Sequence, residues 1–359
     1  METKQIFTSR VTEGMILAKD IYDKNDRLII PKGTTLTDNL ISKIKTLGIF
    51  DVTIQITKIE EPDNNKELSY YQKLRSSQEF QKFNKTFLKT TNDIRNAFVN
   101  FAYNNENLDT EQLYKQTEEV LQAGKSSLDV LSMLQCTKDY DDVTYTHSLN
   151  VAITSSILGK WLKLSTEDNK ILTVAALLHD IGKTQIPNEI INKPSQLTPI
   201  EYQTIKMHTI KGYTMLKKLD LDPRIANCAL LHHERVDGSG YPNKISSNDI
   251  PDFAKIIAIA DVYDAMSSKR LYRDKISPFT IIEMFEKEGY DHFDAKFLIT
   301  FLNGITQVYL NNNVKLSNGQ EGVIIMLNQH SLSRPIIKLN DGTFLDLSTN
   351  KSITIEEIY

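Results

Sequence analysis

His179 and Asp180 adjoin near the end of an apolar run, "ILTVAALLHDIGK", and His232 and His233 stand side by side ahead of a turn, "HHERVDGSGYP". Adjacent residues at a helix end can both face inward only toward a common acceptor, and a metal ion satisfies an imidazole and a carboxylate together. Taken alone, His179 and Asp180 read as a buried histidine with a capping aspartate. Other stretches change that reading. His147 opens "HSLNVAITSSILGKWL", His208 lies among Ile205, Ile210 and Met215, and Asp261 sits in the strongly apolar "IIAIADVYDAM". A buried carboxylate needs a cation or strong donors. Five of the seven histidines fall between Asp141 and Pro242. Helices that each deliver one or two His or Asp residues from an apolar face point to a metal site.

The donor types narrow the metal. No cysteine belongs to the set, which excludes a structural thiolate zinc site and suits iron, manganese or another first-row divalent ion. Seven donors exceed what one ion takes. The economical arrangement has two ions: Asp180 bridging, His147, His179 and Asp261 on one, and His208, His232 and His233 on the other. Two ions can hold a hydroxide between them and stabilise the attacking and leaving oxygens of an in-line phosphoryl displacement. That chemistry is phosphoester hydrolysis.

The elements that must carry these residues follow from the pattern of the chain. Its 359 residues allow two or three domains, and 40% hydrophobic with 25% charged content is ordinary for a globular protein. A net charge of -4 leaves no basic surplus for DNA or RNA. Cys136 and Cys228 stand far apart, outside any CxxC spacing, so a reducing compartment is expected. No signal peptide and no membrane-spanning run is apparent, and the expected location is the cytoplasm.

The fold class is mainly α, an all-helical central domain with small β-rich units at both ends. Residues 1–60 read as a β-rich unit, with strands at "MILAKDIYD", "RLII" and "FDVTIQI" and a short helix over "TDNLISKIKTLG". Residues 61–136 read as a helical linker or regulatory region in two segments broken at "YNNENLD", with Asp109 and Gln112 as a capping box. Phe80, Phe83, Phe87, Ile94 and Phe98 recur there at helical spacing and predict core or dimer packing. Residues 137–312 read as the helical catalytic domain. Its helix starts are marked by Thr198 with Pro199 and Glu201, Asp222 with Pro223, and Ser277 with Pro278, and one helix is expected to run to Gly182. Residues 313–359 read as an antiparallel β unit with turns at Asn318–Gly319 and Asp341–Gly342.

"YTHSLNVA", "LLHDIGK", "MHTIKGYTML", "HHERVDGSGYP" and "IAIADVYDAMSSKRLYRD", in that order, resemble the HD-GYP family of the HD superfamily, phosphodiesterases of the bacterial second messenger cyclic di-GMP. The likeness covers about Asp141 to Asp274, and five ordered motifs make it specific. It implies the ligand set above and adds substrate residues. Asp180 and Lys183 would be catalytic, with Lys183 contacting the scissile phosphate and assisting the leaving oxygen. Tyr241 would touch the ligand from the GYP loop, and Arg270 and Arg273 would hold phosphates, for which a guanidinium fork is suited. Gly238 and Gly240 would let that loop turn tightly. Glu234 and Asp237 would orient the loop or an imidazole. Some members carry a third metal on a glutamate one turn before the first histidine. Here that position is Val143, so two ions are expected, and Asp141 and Asp142 lie on different helical faces.

The implied reaction opens cyclic di-GMP to pGpG, with GMP as the further product. Hydrolysis of another cyclic dinucleotide, and a weakly catalytic cyclic dinucleotide receptor or docking module, are the alternatives. Further partners open to the chain are a second copy, through the phenylalanine stripe, and a diguanylate cyclase or effector protein.

Overall fold

The computed structural model of the chain describes residues 2–359 except 9–10, 12–13, 23–27, 38–39, 42, 45–48, 50, 57–69, 105, 138–142, 194 and 269–275. Arg270, Arg273, Asp141 and Asp142 therefore lie outside the described residues. The chain divides into two compact units, Met1–Leu68 and Ser69–Tyr359.

The first unit is built on strands β1 (Glu2–Phe7), β2 (Ile16–Leu17), β3 (Ile21–Tyr22), β4 (Leu28–Ile30) and β5 (Asp51–Ile56). β5 is central, flanked antiparallel by β1 and β2, and β3 pairs with β4. Leu17, Ile30, Leu36 and Ile44 are fully or almost fully buried at its centre. β1 is an addition to the sequence reading, which began its strands at Met15. Its text, "ETKQIF", is mostly polar, and β-propensity alone does not mark it. The register Glu2 to Ile56 through Phe7 to Asp51 makes it a strand. Most of the expected short helix falls outside the described residues; the Ile41 amide donates to the Thr37 carbonyl at 2.9 Å, as in a first helical turn.

The second unit opens with α1 (Tyr70–Ser76), α2 (Gln78–Tyr103), α3 (Thr110–Leu121) and α4 (Ser127–Thr137). These are four helices where two segments were expected. The break at residues 104–109 is present, and Asp109 accepts the Gln112 amide at 2.9 Å. The phenylalanine stripe of α2 is buried within this same unit, Phe83 and Phe87 completely. Burying each such ring contributes about 1.5–3 kcal/mol.

There follow α5 (Val143–Trp161), α6 (Thr166–Leu178), a 3-10 turn at Ile181–Gln185, α7 (Asn188–Ile191), α8 (Pro199–Lys206), α9 (His208–Leu216) and α10 (Pro223–Leu231). α11 (Asp252–Ser267), α12 (Pro278–His292) and α13 (Ala295–Gln307) complete the helices. α5 and α11 are apolar around most of their circumference and pack together with α6, so they form the middle of the bundle. Polar side chains on their inner faces, such as His147 and Asp261, are buried and must find a partner inside.

The capping signals divide. Thr198 and Glu201 form a complete capping box on α8, and Asp222 caps α10 by accepting the Arg224 amide at 2.9 Å. α12 starts where Ser277 and Pro278 mark it, but Ser277 makes no capping bond and its hydroxyl is buried without a hydrogen-bond partner among the described residues. The helix expected to end at Gly182 ends instead at Leu178, and the tighter turn 181–185 follows. A Cβ on Gly182 would lie 2.0 Å from the His208 carbonyl oxygen, so only glycine lets this turn press against α9.

The chain finishes in a five-stranded antiparallel sheet of β6 (Asn313–Leu316), β7 (Glu321–Met326), β8 (Ile336–Leu339), β9 (Phe344–Asp346) and β10 (Ile355–Ile358), in the order β10-β6-β7-β8-β9. The turns at Gly319 and Gly342 have φ of 82° and 86°, as hairpin turns there require. Val314, Leu316, Ile324 and Ile337 point inward and join the helical core. Among the described residues no helix is long and apolar enough to cross a membrane.

Candidate metal centre

All seven expected donors converge on one place. His147 comes from α5, His179 and Asp180 follow the end of α6, and His208 opens α9. His232 and His233 follow α10, and Asp261 lies in the middle of α11. Their donor atoms fall into two groups, each within 4.8 Å across: Asp180, His208, His232 and His233, and His147, His179 and Asp261. Asp180 reaches both. Its Oδ2 lies 3.3 Å from His179 Nε2 and 3.7 Å from His147 Nε2; its Oδ1 lies 3.2 Å from His208 Nε2 and 3.8 Å from His232 Nε2. Asp261 also spans the groups, with Oδ1 3.0 Å from His147 Nε2 and Oδ2 3.7 Å from His233 Nδ1.

The outer ring nitrogens fix the tautomers. His179 Nδ1 lies 2.6 Å from the Ala176 carbonyl, His208 Nδ1 2.6 Å from that of Ile205, and His232 Nδ1 3.0 Å from that of Cys228. A carbonyl only accepts, so each Nδ1 carries the proton and each Nε2 presents a lone pair inward. Burial pushes the His208 and His232 imidazoles below their ordinary pKa, and His233 falls to about 3 for the same first reason. These rings are therefore neutral, as ligands must be.

The inward lone pairs have nothing to meet. His208 Nε2 and His232 Nε2 face each other at 3.3 Å, and His179 Nε2 and Asp180 Oδ1 are buried without a hydrogen bond. Buried polar atoms are otherwise almost always satisfied. Burial opposes ionisation of Asp180, but Lys183 and His179 hold its carboxyl well below the usual range. Burial likewise lowers His147, but Asp261 and Asp264 outweigh it and raise this imidazole to about 9. A divalent cation held by His147 and Asp261 would take the place of that proton. An all-imidazole and carboxylate set with converging lone pairs fits divalent metal.

A model of the HD domain family matches residues 117–297, about half of the chain. The chain belongs to the HD-domain family. It is 33% identical over 204 residues to a cyclic di-GMP phosphodiesterase of Pseudomonas aeruginosa, an alignment covering 56% of this chain and 49% of that protein. It is 36% identical over 197 residues to a cyclic di-GMP phosphodiesterase of Thermotoga maritima, covering 52% and 53%. It is 38% identical over 127 residues to a 3'3'-cGAMP-specific phosphodiesterase of Vibrio cholerae, covering 35% and 28%. The chain spans about half the length of the first two.

Around the centre of this HD domain, Lys183 forms an ion pair with Asp180. Tyr241 stacks on His233 with ring centroids 4.7 Å apart. The chain just after Tyr241 is held by Glu234, a buried carboxylate that accepts the amides of Asn243 at 2.6 Å, Lys244 at 3.1 Å and Ile245 at 3.2 Å. A Cβ on Gly240 would lie 2.5 Å from three atoms of the backbone at residues 233–235, so the loop folds flat on the histidine pair only because that residue is glycine. Asp237 accepts the Ser239 amide at 2.9 Å and lies 3.3 Å from His292 Nδ1.

Two residues of the HD domain were missed in the sequence. Asp264 holds His147 Nδ1 at 2.7 Å and accepts from Asn150 at 3.0 Å, so it aims the first histidine. Its position three residues after Asp261, on the same face of α11, was the available signal. His292 lies in none of the five motifs, yet its carbonyl accepts the Val236 amide at 3.0 Å and ties α12 to the loop. A backbone bond across 56 positions leaves no trace in residue type.

Proposed function

We propose that the protein is a metal-dependent phosphodiesterase that hydrolyses cyclic di-GMP to pGpG, with GMP as the further product. The observation that carries the reading is the set of buried, inward-facing lone pairs on His179, His208, His232 and Asp180, which only cations compensate. His147, His179 and Asp261 would hold one ion and His208, His232 and His233 the other, with Asp180, whose two oxygens face different groups, shared between them. Iron or manganese suits these donors. Bound there, such a pair supplies a water that is nucleophilic at neutral pH and positive charge against the phosphoryl oxygens.

The chain's own groups do the rest. Lys183, released from Asp180 as substrate enters, neutralises a phosphoryl oxygen and gives a proton from Nζ to the departing ribose O3′. The bond from phosphorus to O3′ breaks and a 5′-phosphate remains. Tyr241 lines the substrate cleft from the GYP loop, which Glu234 holds in shape. Arg270 and Arg273 take phosphate oxygens through their guanidinium forks. The curated relatives named for cyclic di-GMP support this substrate, and the 3'3'-cGAMP-specific relative favours a mixed guanine and adenine ring as the second reading.

The test is anaerobic purification followed at once by turnover of cyclic di-GMP and 3'3'-cGAMP with chromatographic identification of products. Linear pGpG or GMP from the first is the expected result. Faster cleavage of the mixed ring moves the assignment to the second reading, and metal-loaded protein that cleaves neither overturns both.

A further inference from the structure

The turn that carries Lys183 is closed by a residue from outside the matched HD region, residues 117–297. Around Ile181–Gln185 the Lys183 amide donates to the Asp180 carbonyl at 2.9 Å, the Ile186 amide to the Lys183 carbonyl at 3.0 Å, and the Thr184 hydroxyl to the Ile181 carbonyl at 2.7 Å. The Thr184 carbonyl is the exception. In a 3-10 turn its donor would be the amide of residue 187, and that residue is proline, which has no N–H. Tyr103, the last residue of α2, supplies the donor: its hydroxyl lies 2.5 Å from the Thr184 oxygen, across 81 positions of sequence. Gln185 makes a second link, its side-chain amide donating to the Ala102 carbonyl at 3.5 Å.

Tyr103 is 64% exposed, and water alone can satisfy a phenol in such a place. Its bond to a backbone oxygen instead fixes the peptide that follows Lys183. α2 can hold that peptide still because its own end is anchored. Phe98, five residues earlier, is buried and meets the Tyr145 ring edge-on with centroids 5.9 Å apart, and Tyr145 stands two residues before His147 on α5. Gly182 presses the same turn against α9. The backbone under Lys183 is thus tied to two helices, while its ammonium, paired with Asp180, is the part that must move when substrate enters.

We infer that Tyr103 is a positioning residue: its hydroxyl locks the turn beneath Lys183, so that Nζ swings from Asp180 to the departing O3′ by side-chain rotation alone. The inference rests on Lys183 as the proton donor of the phosphodiesterase proposed for this chain.

The experiment is a double-mutant cycle of Tyr103→Phe and Lys183→Met, with metal content and melting temperature measured on all four proteins. kcat and KM are followed on whichever of cyclic di-GMP and 3'3'-cGAMP is cleaved faster, with products counted after long incubation where turnover is slow. They are also followed on bis(p-nitrophenyl) phosphate, whose p-nitrophenolate leaves without the proton that a ribose oxygen needs. Tyr103→Phe is expected to lower kcat on the dinucleotide about fivefold, with KM within about twofold of wild type, and to lower kcat on the probe by less than about twofold. In the Lys183→Met background the same substitution should change kcat by less than about twofold, because its route to the chemistry is gone. A purely structural role would instead cut both substrates alike and persist without Lys183. Wild-type kcat in Tyr103→Phe, equal losses on both substrates, or the full loss in the Lys183→Met background overturns the inference and leaves the phosphodiesterase reading standing. Lys183→Met with wild-type kcat on the dinucleotide overturns the role of Lys183 and the inference with it. Wild-type protein that cleaves the probe but no cyclic dinucleotide overturns the phosphodiesterase reading and the inference together.

Discussion

Two polar clusters of the helical unit handle their charges in opposite ways. At the seam between α12 and the C-terminal sheet, Glu286 accepts the amides of Leu332 at 2.5 Å and Ser333 at 3.2 Å, together with the Ser333 hydroxyl. Arg334 beside it donates to Glu283 at 2.8 Å and to the Ile353 carbonyl at 2.8 Å. Each of these groups finds its partner within the chain. At the metal centre the outer nitrogens are just as well tied, yet the inner ones are aimed at each other. The first cluster is complete as folded, and it ties loop to helix. The second is complete only with something added, and that incompleteness is what marks a functional centre.

The largest expected effect comes from removing the group that touches both halves of the centre. Asp180→Ala should abolish turnover, with a loss of at least ~10²-fold, while far-ultraviolet circular dichroism stays that of a helical protein. Wild-type turnover in this variant would refute the bridging assignment. Stripping the metals with a chelator should lower the unfolding free energy by about 3 kcal/mol for each ion that had been present at ~100 times its dissociation constant, and re-addition should restore it. An unchanged melting temperature on removal would mean that the inner lone pairs are not what the ions satisfy.

Asp264→Ala sharpens the contrast, since it unties an outer nitrogen of His147 without removing a donor. Metal affinity should fall roughly 10–100-fold, with the His147 group affected first. Affinity equal to wild type by chelator competition would leave Asp264 with a packing role only. Glu286→Ala should do the reverse: a cost of about 1–3 kcal/mol in urea denaturation, because two backbone amides lose their acceptor, with metal content and turnover per folded molecule unchanged. Loss of metal there would erase the distinction between the two clusters.

What was legible in the sequence follows the same line. The seven donors stood out because histidine and aspartate are conspicuous inside apolar runs such as those of α5 and α11, where burial is written in the neighbours. The helical class, the two C-terminal hairpins and the Thr198 cap were legible for a related reason: periodicity and turn residues are local. Asp264 was overlooked although its spacing from Asp261 was in plain view. His292 and β1 could not be read, since each is defined by backbone bonds to distant segments, at Val236 and along β5. At Ser277 the helix start itself was legible, with Pro278 as the first residue of α12, and only the side-chain capping bond is missing.

The measurement that tests the central claim most directly is elemental analysis of the protein purified without oxygen, alongside Asp180→Ala. Two equivalents of iron or manganese per chain in the wild type, falling sharply in the variant, are predicted. Protein that retains no metal, or holds three ions tightly, or keeps two after loss of Asp180, would contradict the two-ion centre.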